Sequence, residues 1–384
     1  MESGYTEKNN IAQSLHIEPQ GKLKIRQASA AWNVVESGYT EKNNIAQNHH
    51  TEPQGNIKKR TARKYKSMKL IQFHLPNLGK RVGIVTRDEE VIDVTSEESP
   101  GVLEVLALAH QEQMSLGVIL ADIQEKVATP APMQLPSFPA AEEPSTEPEG
   151  LTLKKLDVVP DENVPHLLPP IDPPEVWGCG VTYKRSADMR DDDTEQDIYS
   201  RVYHADRPEI FFKGTPSRCV GPNGFIGIRS DSVLTATEPE LAYILGGDGE
   251  IVGYTLCNDV SAWDIERDNP LYLPQSKVFY GCCALGPMFL TPSEVDDPYN
   301  LEMQCTVLRD VDIIYQGGVN TSQINWKFEQ LTEFLMRDNP IPLGTVVSTG
   351  TGIIVPNDLP LAAGDIVQIA IEGFGTLSNP VKQL

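Results

Sequence analysis

The segment "TEPELAYILGG", residues 237–247, constrains the fold most, because it places two acidic side chains in a run that otherwise reads as an apolar strand. Residues i and i+2 of a strand point to the same face, so Glu238 and Glu240 bring two carboxylates side by side. These carboxylates repel each other unless a positive group lies between them. A bound metal ion is the first candidate. Exposed carboxylates on an edge strand, where Pro239 is tolerated, are the alternative.

A second strand is predicted from the run "IVGYTLCNDVSAWDIERD", which follows a glycine-rich turn and places Asn258 and Asp259 at the strand end. If this strand returns beside the first, Asp259 joins Glu238 and Glu240 as a third oxygen ligand. Carboxylates without histidine or cysteine partners favour hard cations. The pattern therefore indicates Mg²⁺, Mn²⁺ or Ca²⁺ rather than Zn²⁺.

The charge of the chain is unevenly distributed. The 384 residues carry a formal net charge of −22, but residues 1–67 hold 11 Lys and Arg against 6 Glu, so the remainder is near −27. Nucleic acid is not an expected partner of this acidic part, because affinity for phosphate backbones comes mainly from Lys and Arg. The sequence has no membrane-length apolar run, no apolar signal segment and no CxxC pair. We expect a soluble, cytoplasmic protein that binds a small molecule and no membrane.

The N-terminal segment contains a near-perfect duplication, in which 17 of 20 positions of residues 2–21 recur at residues 36–55. Two polar copies without an apolar stripe cannot bury a core, so we expect disorder over residues 1–67. Met68 looks like a natural start of the folded chain. The extension before it is then either translated from an upstream start codon or a genuine basic tail.

The rest of the chain divides by composition. Residues 68–127 contain three strand-like runs and a stretch whose apolar spacing suits one or two helices, which predicts a small N-terminal α/β domain. Residues 128–150 are rich in proline and glutamate and indicate a linker. Short β-like runs, glycines and prolines dominate residues 151–384, with helical stretches near 186–204 and 325–338. This pattern predicts a β-rich α+β domain.

Two further patterns have both a structural and a functional interpretation. Lys277 lies in the apolar run "LPQSKVFYGCCALGPMF", and it either extends from the surface or is partly buried, which would suit it to acid–base chemistry or to holding an enolate. The loop "VVSTGTGIIVP", residues 346–356, is either a plain glycine turn or a cradle of backbone N–H groups for an anion such as a carboxylate.

Seven motifs, in order over residues 175–384, resemble the fumarylacetoacetate hydrolase superfamily: "WGCGVTY", "RPEIFFK", "EPELAYILG", "GYTLCNDVSAWDIE", "SKVF", "ALGPMF" and "STGTG". The first two are most similar to the 2-keto-3-deoxy-D-arabinonate dehydratase-like group within it. The resemblance implies an α+β, β-rich fold for residues 151–384, a mixed β-sheet roll, and a homodimer or homotetramer.

The resemblance also implies a catalytic centre. Glu238, Glu240 and Asp259 become the ligands of a divalent ion, most often Mg²⁺. Lys277 matches a lysine that faces the metal-bound substrate. Glu209 matches an acid that positions or deprotonates a water.

A second set of residues would contact the substrate. Gly350 and Thr351 lie in the loop that, by the resemblance, receives the substrate carboxylate. Arg185, Ser186 and Lys213 are further candidates for substrate binding. Each of these three residues could equally be structural.

Departures from the superfamily pattern bear on the reaction. Many of its hydrolases have a His–Glu dyad shortly after the "TY" motif, but the corresponding run here, "TYKRSADMRDDD", has no histidine, and His204 is the nearest one. Trp263 and Tyr280 replace an arginine and an aspartate of common hydrolase patterns. Loss of the water-activating histidine argues against hydrolysis of a C–C bond and favours enolisation with loss of a hydroxyl.

These patterns predict a lyase that dehydrates a 2-keto-3-deoxy sugar acid, such as 2-keto-3-deoxy-D-arabinonate, to 2,5-dioxopentanoate through a metal-stabilised enolate. No redox cofactor is needed. A hydrolase or decarboxylase of acylpyruvates or 2,4-diketo acids is the alternative enzyme. A non-catalytic protein that binds 2-oxo acids is the alternative from another class.

Overall fold

The computed structural model of the protein describes residues 68–127, 150–194 and 197–384. The predictions of disorder over residues 1–67 and of a linker over residues 128–150 fall, apart from the last linker residue, outside the described residues. Within the described part of the chain, no helix is long and apolar enough to cross a membrane.

The described residues form strands and short helices. The strands are β1 (Lys69–Leu75), β2 (Gly79–Val85), β3 (Val91–Asp93), β4 (His166–Leu167), β5 (Val176–Gly180), β6 (Glu209–Gly214), β7 (Cys219–Val220), β8 (Ile226–Ile228), β9 (Thr235–Ala236), β10 (Pro239–Leu245), β11 (Ile251–Asp259), β12 (Ser261–Ala262), β13 (Cys283–Leu290), β14 (Glu302–Arg309), β15 (Asp312–Asn320), β16 (Val346–Ser348), β17 (Ile366–Ile371) and β18 (Gly375–Gln383). The α-helices are α1 (Val102–Gln111), α2 (Leu116–Val127), α3 (Leu153–Leu156), α4 (Lys184–Thr194), α5 (Ile198–Tyr203), α6 (Trp263–Asp268), α7 (Leu273–Lys277) and α8 (Phe328–Met336).

A large mixed sheet forms the centre of the fold. Its strand order is β3-β2-β1-β13-β11-β10-β16-β5-β6, with β4 beside β1 and β7 beside β13. Most neighbours are antiparallel, but β16 pairs with β5 and β13 with β7 in parallel. A second sheet has the order β15-β14-β17-β18-β8, and β9 pairs with β12. The predicted β-rich α+β class is confirmed.

The N-terminal strands belong to the large sheet. β1 pairs with β2 along its whole length and with β13 at Lys69 and Leu70. Gln72 of β1 accepts a hydrogen bond at 2.9 Å from the backbone N–H of Val102, so a strand side chain satisfies one of the free amides at the start of α1. The strands and helices expected over residues 68–127 are present, and the domain boundaries stay a prediction.

Central strands bring the acidic motifs to one edge of the sheet. β10 lies between β11 and β16, and its seven residues are all buried, so the interpretation as an exposed edge strand is wrong. The antiparallel register pairs Glu240 with Cys257, which places the start of β10 beside the end of β11. β16 and β5 end, and β6 begins, at the same edge. Side chains at these strand ends therefore converge.

Candidate active site

Three carboxylates meet where the strand ends converge. Glu238, Glu240 and Asp259 each offer one oxygen, and these oxygens lie within 4.8 Å of one another. The three residues are 3%, 2% and 1% exposed, so their charges need compensation inside the protein. An all-carboxylate set of oxygen donors suits a hard divalent cation such as Mg²⁺. The donor chemistry and burial of this triad therefore fit the predicted ion.

Lys277 supplies positive charge to the triad. Its Nζ donates hydrogen bonds to Glu238 Oε1 at 2.9 Å, to Asp259 Oδ2 at 3.0 Å and to Ser261 Oγ at 2.7 Å. Burial alone would lower the pKa of Lys277, but the carboxylates of Asp259 and Glu238 outweigh burial and raise it. The side chain is 3% exposed, so the interpretation as a surface lysine is wrong.

Glu238 is compensated by two cations, Lys277 and Arg190, and by one neutral donor. Its Oε1 also accepts hydrogen bonds from Trp263 Nε1 at 2.7 Å and from Arg190 Nη2 at 3.1 Å. Burial favours the neutral carboxyl, yet the charges of Lys277 and Arg190 lower the pKa of Glu238 below its usual range. Trp263, which departs from the hydrolase pattern, is thus a neutral donor to this carboxylate, while Arg190 contributes a guanidinium.

Glu240 has the opposite electrostatic environment. Its Oε2 accepts hydrogen bonds from the Gly350 backbone N–H at 2.8 Å and from the Ser348 hydroxyl. Burial, followed by the charges of Asp259 and Glu238, raises the pKa of Glu240 to about 8. A divalent cation favours the ionised carboxylate, so ion binding and deprotonation of Glu240 are coupled.

We expect Mg²⁺ binding to strengthen as the pH rises towards 8. Because the ion needs the ionised Glu240, binding below its pKa of about 8 releases a proton. The apparent Kd for Mg²⁺ should fall roughly tenfold per pH unit between about pH 6 and 8 and level off above. Calorimetric titration at several pH values measures this dependence. Glu240→Gln should bind weakly with little dependence on pH, and a flat profile in the unmodified protein would contradict the coupling.

Lys213 is buried against one member of the triad. Its fully buried Nζ donates to the backbone carbonyls of Val260 at 2.9 Å and Lys277 at 2.6 Å, and it forms an ion pair with Asp259. Burial lowers the pKa of Lys213 and the Asp259 carboxylate raises it. The net shift is upward, so the ammonium form is favoured. These contacts hold the Asp259 carboxylate in position. The predicted contact of Lys213 with substrate stays a prediction.

A pocket adjoins the triad. Apart from the triad itself, the polar side chains that line it are Arg190, Glu209, Glu266, Lys277 and Thr351. Glu209 is the first residue of β6, and burial together with the charge of Glu266 raises its pKa. The structure therefore brings Glu209 and Thr351 together with the triad, as the sequence motifs predict.

The other predicted substrate-binding residues have different surroundings. Arg185 is exposed on α4, whereas Ser186 is buried and its Oγ accepts a hydrogen bond from Arg190 Nη1 at 3.1 Å. Neither residue lines the pocket. Gly350 does line it, but its N–H donates to Glu240. The proposed contacts of these three residues with substrate stay predictions.

Two charged pocket residues were not predicted from the sequence. Arg190 lies on α4 and Glu266 on α6, and the guanidinium Nε is 3.9 Å from Glu266 Oε1. Arg190 follows Ser186 by one helical turn, and Glu266 follows Trp263 by nearly one turn. The segments "DMRDDD" and "DIERD" each contain several charged residues, and the sequence alone does not show which of them faces the pocket. The spacing identifies Arg190 and Glu266 only once the orientation of the two helices is known.

A family profile described as "Fumarylacetoacetate (FAA) hydrolase C-terminal" matches residues 175–382. The chain belongs to the fumarylacetoacetate hydrolase family. A relative from Saccharolobus solfataricus, named 2-dehydro-3-deoxy-D-arabinonate dehydratase, is 48% identical over 219 residues, which cover 56% of this chain and 74% of the relative. A relative from Haloferax volcanii, named probable 2-keto-3-deoxyxylonate dehydratase, is 48% identical over 227 residues, which cover 59% of this chain and 78% of the relative.

A solved structure supports the same assignment. It is described as 2-keto-3-deoxy-D-arabinonate dehydratase complexed with magnesium and 2,5-dioxopentanoate, and it is 35% identical to this chain with a TM-score of 0.64. The match covers 83% of this chain and 99% of the solved one. The family and the fold predicted from the sequence motifs are confirmed.

Proposed function

We propose that this protein is a Mg²⁺-dependent dehydratase of a 2-keto-3-deoxy sugar acid, which converts 2-keto-3-deoxy-D-arabinonate to 2,5-dioxopentanoate and water. The observation that carries the proposal is the buried carboxylate triad with the Lys277 ammonium on two of its members. The names of the two 48% identical relatives support the substrate class. The magnesium and the 2,5-dioxopentanoate of the solved relative support both the ion and the product.

The proposed mechanism divides the reaction between the triad and the pocket. Glu238, Glu240 and Asp259 would hold the cation, which when bound supplies Lewis-acid stabilisation of the negative charge that develops on the substrate C2 oxygen. Lys277 stays charged, because the neighbouring carboxylates raise its pKa by more than burial lowers it. Its Nζ would donate a hydrogen bond to the C2 oxygen. Lys277 is therefore a donor in this scheme.

Glu209 would move the protons. Burial and Glu266 raise its pKa, which makes its carboxylate a stronger base than an exposed one. It would take the C3 proton, directly or through a water, and return a proton to the C4 hydroxyl as that group leaves as water. A proton then moves from C5 to C3, which gives an enol with a C4=C5 double bond, and transfer of the C5 hydroxyl proton to C4 yields the aldehyde at C5. The sum is loss of one water without oxidation or reduction.

The histidines favour dehydration over C–C bond hydrolysis. None of the described residues that line the pocket is a histidine. His204, the nearest in sequence to the position of the hydrolase dyad, is exposed at the end of α5 and packs edge-on against Tyr203. Hydrolysis of an acylpyruvate needs an activated water, whereas dehydration needs only proton transfer and enolate stabilisation.

An NMR time course tests the proposal. The purified full chain is incubated with Mg²⁺ and either 2-keto-3-deoxy-D-arabinonate or an acylpyruvate. We expect 2,5-dioxopentanoate from the sugar acid and no change in the acylpyruvate. Release of pyruvate from the acylpyruvate, with the sugar acid untouched, would assign the protein to the hydrolases. No reaction with either compound would indicate a protein that only binds 2-oxo acids, or an enzyme that acts on a different sugar acid.

Gly180 is expected to be essential for the position of Glu209. The two residues pair across β5 and β6, and a Cβ at Gly180 would overlap the Glu209 carboxylate. We expect Gly180→Ala to lower kcat by roughly 100-fold, because a displacement of about 1 Å has that effect, while Mg²⁺ affinity is unchanged. Steady-state kinetics and a Mg²⁺ titration measure both. Gly214→Ala, where the nearest side chain to a new Cβ is 3.6 Å away, is the control, and equal activity of the two variants would contradict the role of Glu209.

We also propose a cytoplasmic location and a homodimer or homotetramer. All six cysteines are free thiols and five of them are buried, which suits a reducing compartment. Size-exclusion chromatography with light scattering gives the number of chains in solution.

A further inference from the structure

Glu266 carries a buried carboxylate oxygen that receives no hydrogen bond from the part of the chain that the structure describes. The side chain is 6% exposed, its Oε1 accepts a hydrogen bond from Tyr199 Oη at 3.4 Å, and its Oε2 has no partner among the described residues. An ionised carboxylate can only accept hydrogen bonds, and a buried acceptor that lacks a donor is unfavourable. Oε2 is therefore a ready acceptor for an O–H group on a bound molecule.

The position of Glu266 indicates which part of a ligand supplies that O–H group. Glu266 lines the pocket that contains the triad and also an adjoining pocket with Tyr199, Trp263 and Ile354. Arg190 lies between Glu238, at 3.1 Å, and Glu266, at 3.9 Å. A 2-oxo acid with its carboxylate end at the triad would thus direct its far end past Arg190 towards Glu266.

We propose that Glu266 accepts a hydrogen bond from the C5 hydroxyl of the sugar acid and so selects hydroxylated 2-oxo acids over 2-oxo dicarboxylates. This inference rests on the proposed function, because it takes the orientation of the substrate from it. A distal carboxylate on the ligand would meet the Glu266 carboxylate as a like charge, which excludes competitors of similar length. Arg190 offsets this repulsion little, since its guanidinium already faces Glu238 and Glu266.

Three five-carbon probes isolate the distal group: 2-oxopentanoate, 5-hydroxy-2-oxopentanoate and 2-oxoglutarate. None has a C4 hydroxyl, so none can be dehydrated, and equilibrium binding to the Mg²⁺-saturated protein can be measured by calorimetry. We expect the unmodified protein to bind the hydroxylated probe roughly tenfold more tightly than 2-oxopentanoate, which is typical of a charge-assisted hydrogen bond, and to bind 2-oxoglutarate most weakly.

Glu266→Gln should change the affinities for the two polar probes in opposite directions. We expect the preference for the hydroxylated probe to fall to about twofold and the affinity for 2-oxoglutarate to rise by at least about fivefold, because the like charge is gone. Glu266→Asp, which keeps the charge, should still reject 2-oxoglutarate and covers the case in which the glutamine variant does not fold. Asp268→Asn removes one exposed carboxylate from the same helix and should change neither ratio.

Several results would overturn the inference. Equal binding of the three probes by the unmodified protein would do so, and so would a parallel loss of all three affinities in Glu266→Gln with Mg²⁺ binding intact, which indicates a merely structural residue. The dehydration assay is run beside the titrations. Dehydration without probe selectivity would contradict only the proposed role of Glu266. Selectivity without dehydration would contradict only the proposed reaction.

Discussion

Glu240→Ala is expected to abolish dehydration and to weaken Mg²⁺ binding by at least about 100-fold, because it removes one of three carboxylate donors. The change also leaves the Ser348 hydroxyl and the Gly350 N–H without their acceptor. We expect kcat/KM at saturating Mg²⁺ to fall by at least roughly 1000-fold, since a cation contributes several kcal/mol of transition-state stabilisation. The NMR assay and a calorimetric Mg²⁺ titration measure the two effects.

A stability measurement separates this loss of chemistry from loss of the fold. The pKa of Glu240 is about 8 in the folded protein, above the usual value of 4.5, so the folded state binds its proton more tightly than the unfolded state. Stability without the metal therefore decreases as the pH rises from about 4.5 to 8. Glu240→Gln should remove this decrease and melt at a higher temperature than the unmodified protein at pH 9. Glu302→Ala, an exposed carboxylate on β14, is the control for both assays, and full activity of Glu240→Ala would exclude the triad as the metal site.

Lys277→Met is expected to separate catalysis from metal binding. The Lys277 ammonium occupies the same carboxylates that would bind the ion, Glu238 and Asp259. Its removal leaves these charges to the cation alone, so Mg²⁺ affinity should rise, while kcat should fall by roughly 100- to 1000-fold, the range for loss of a hydrogen-bond donor to a developing oxyanion. A calorimetric Mg²⁺ titration and steady-state kinetics on one preparation test the expected rise in Mg²⁺ affinity and the expected fall in kcat.

The same variant should also be less stable without the metal. Removal of one partner from a buried ion pair costs about 3–5 kcal/mol, and added Mg²⁺ should restore much of that loss. Lys184→Met, which removes an exposed lysine paired with Asp188, should alter neither activity nor Mg²⁺ binding. If Lys277→Met kept full activity, the donor role would belong to another group. If the variant bound Mg²⁺ more weakly instead, the Lys277 ammonium would be stabilising the arrangement of the carboxylates and would not be competing with the cation.

Local rules are sufficient for much of the fold and for the centre of the site. The alternation of side chains along a strand is enough to place Glu238 and Glu240 on one face, and the next strand offers Asp259. Apolar periodicity indicates the helices over residues 68–127 and near 325–338, which the structure confirms as α1, α2 and α8. These predictions depend on neighbours in the chain, so the sequence contains the information they need.

The sequence by itself determined the family, the β-rich class and the acidic triad, because each follows from motifs or from spacing within one or two strands. The motifs also indicated Lys277, but only the tertiary structure decided which carboxylates it contacts and which other charged groups surround the triad. Lys213 and Lys277 both lie in apolar runs, yet Lys213 pairs with Asp259 without lining the pocket, whereas Lys277 lines the pocket. Glu266 and Arg190 come from helices about 75 residues apart in the chain and meet only after the sheet has formed. Such contacts depend on strand order and on the rotation of short helices, which local periodicity does not specify.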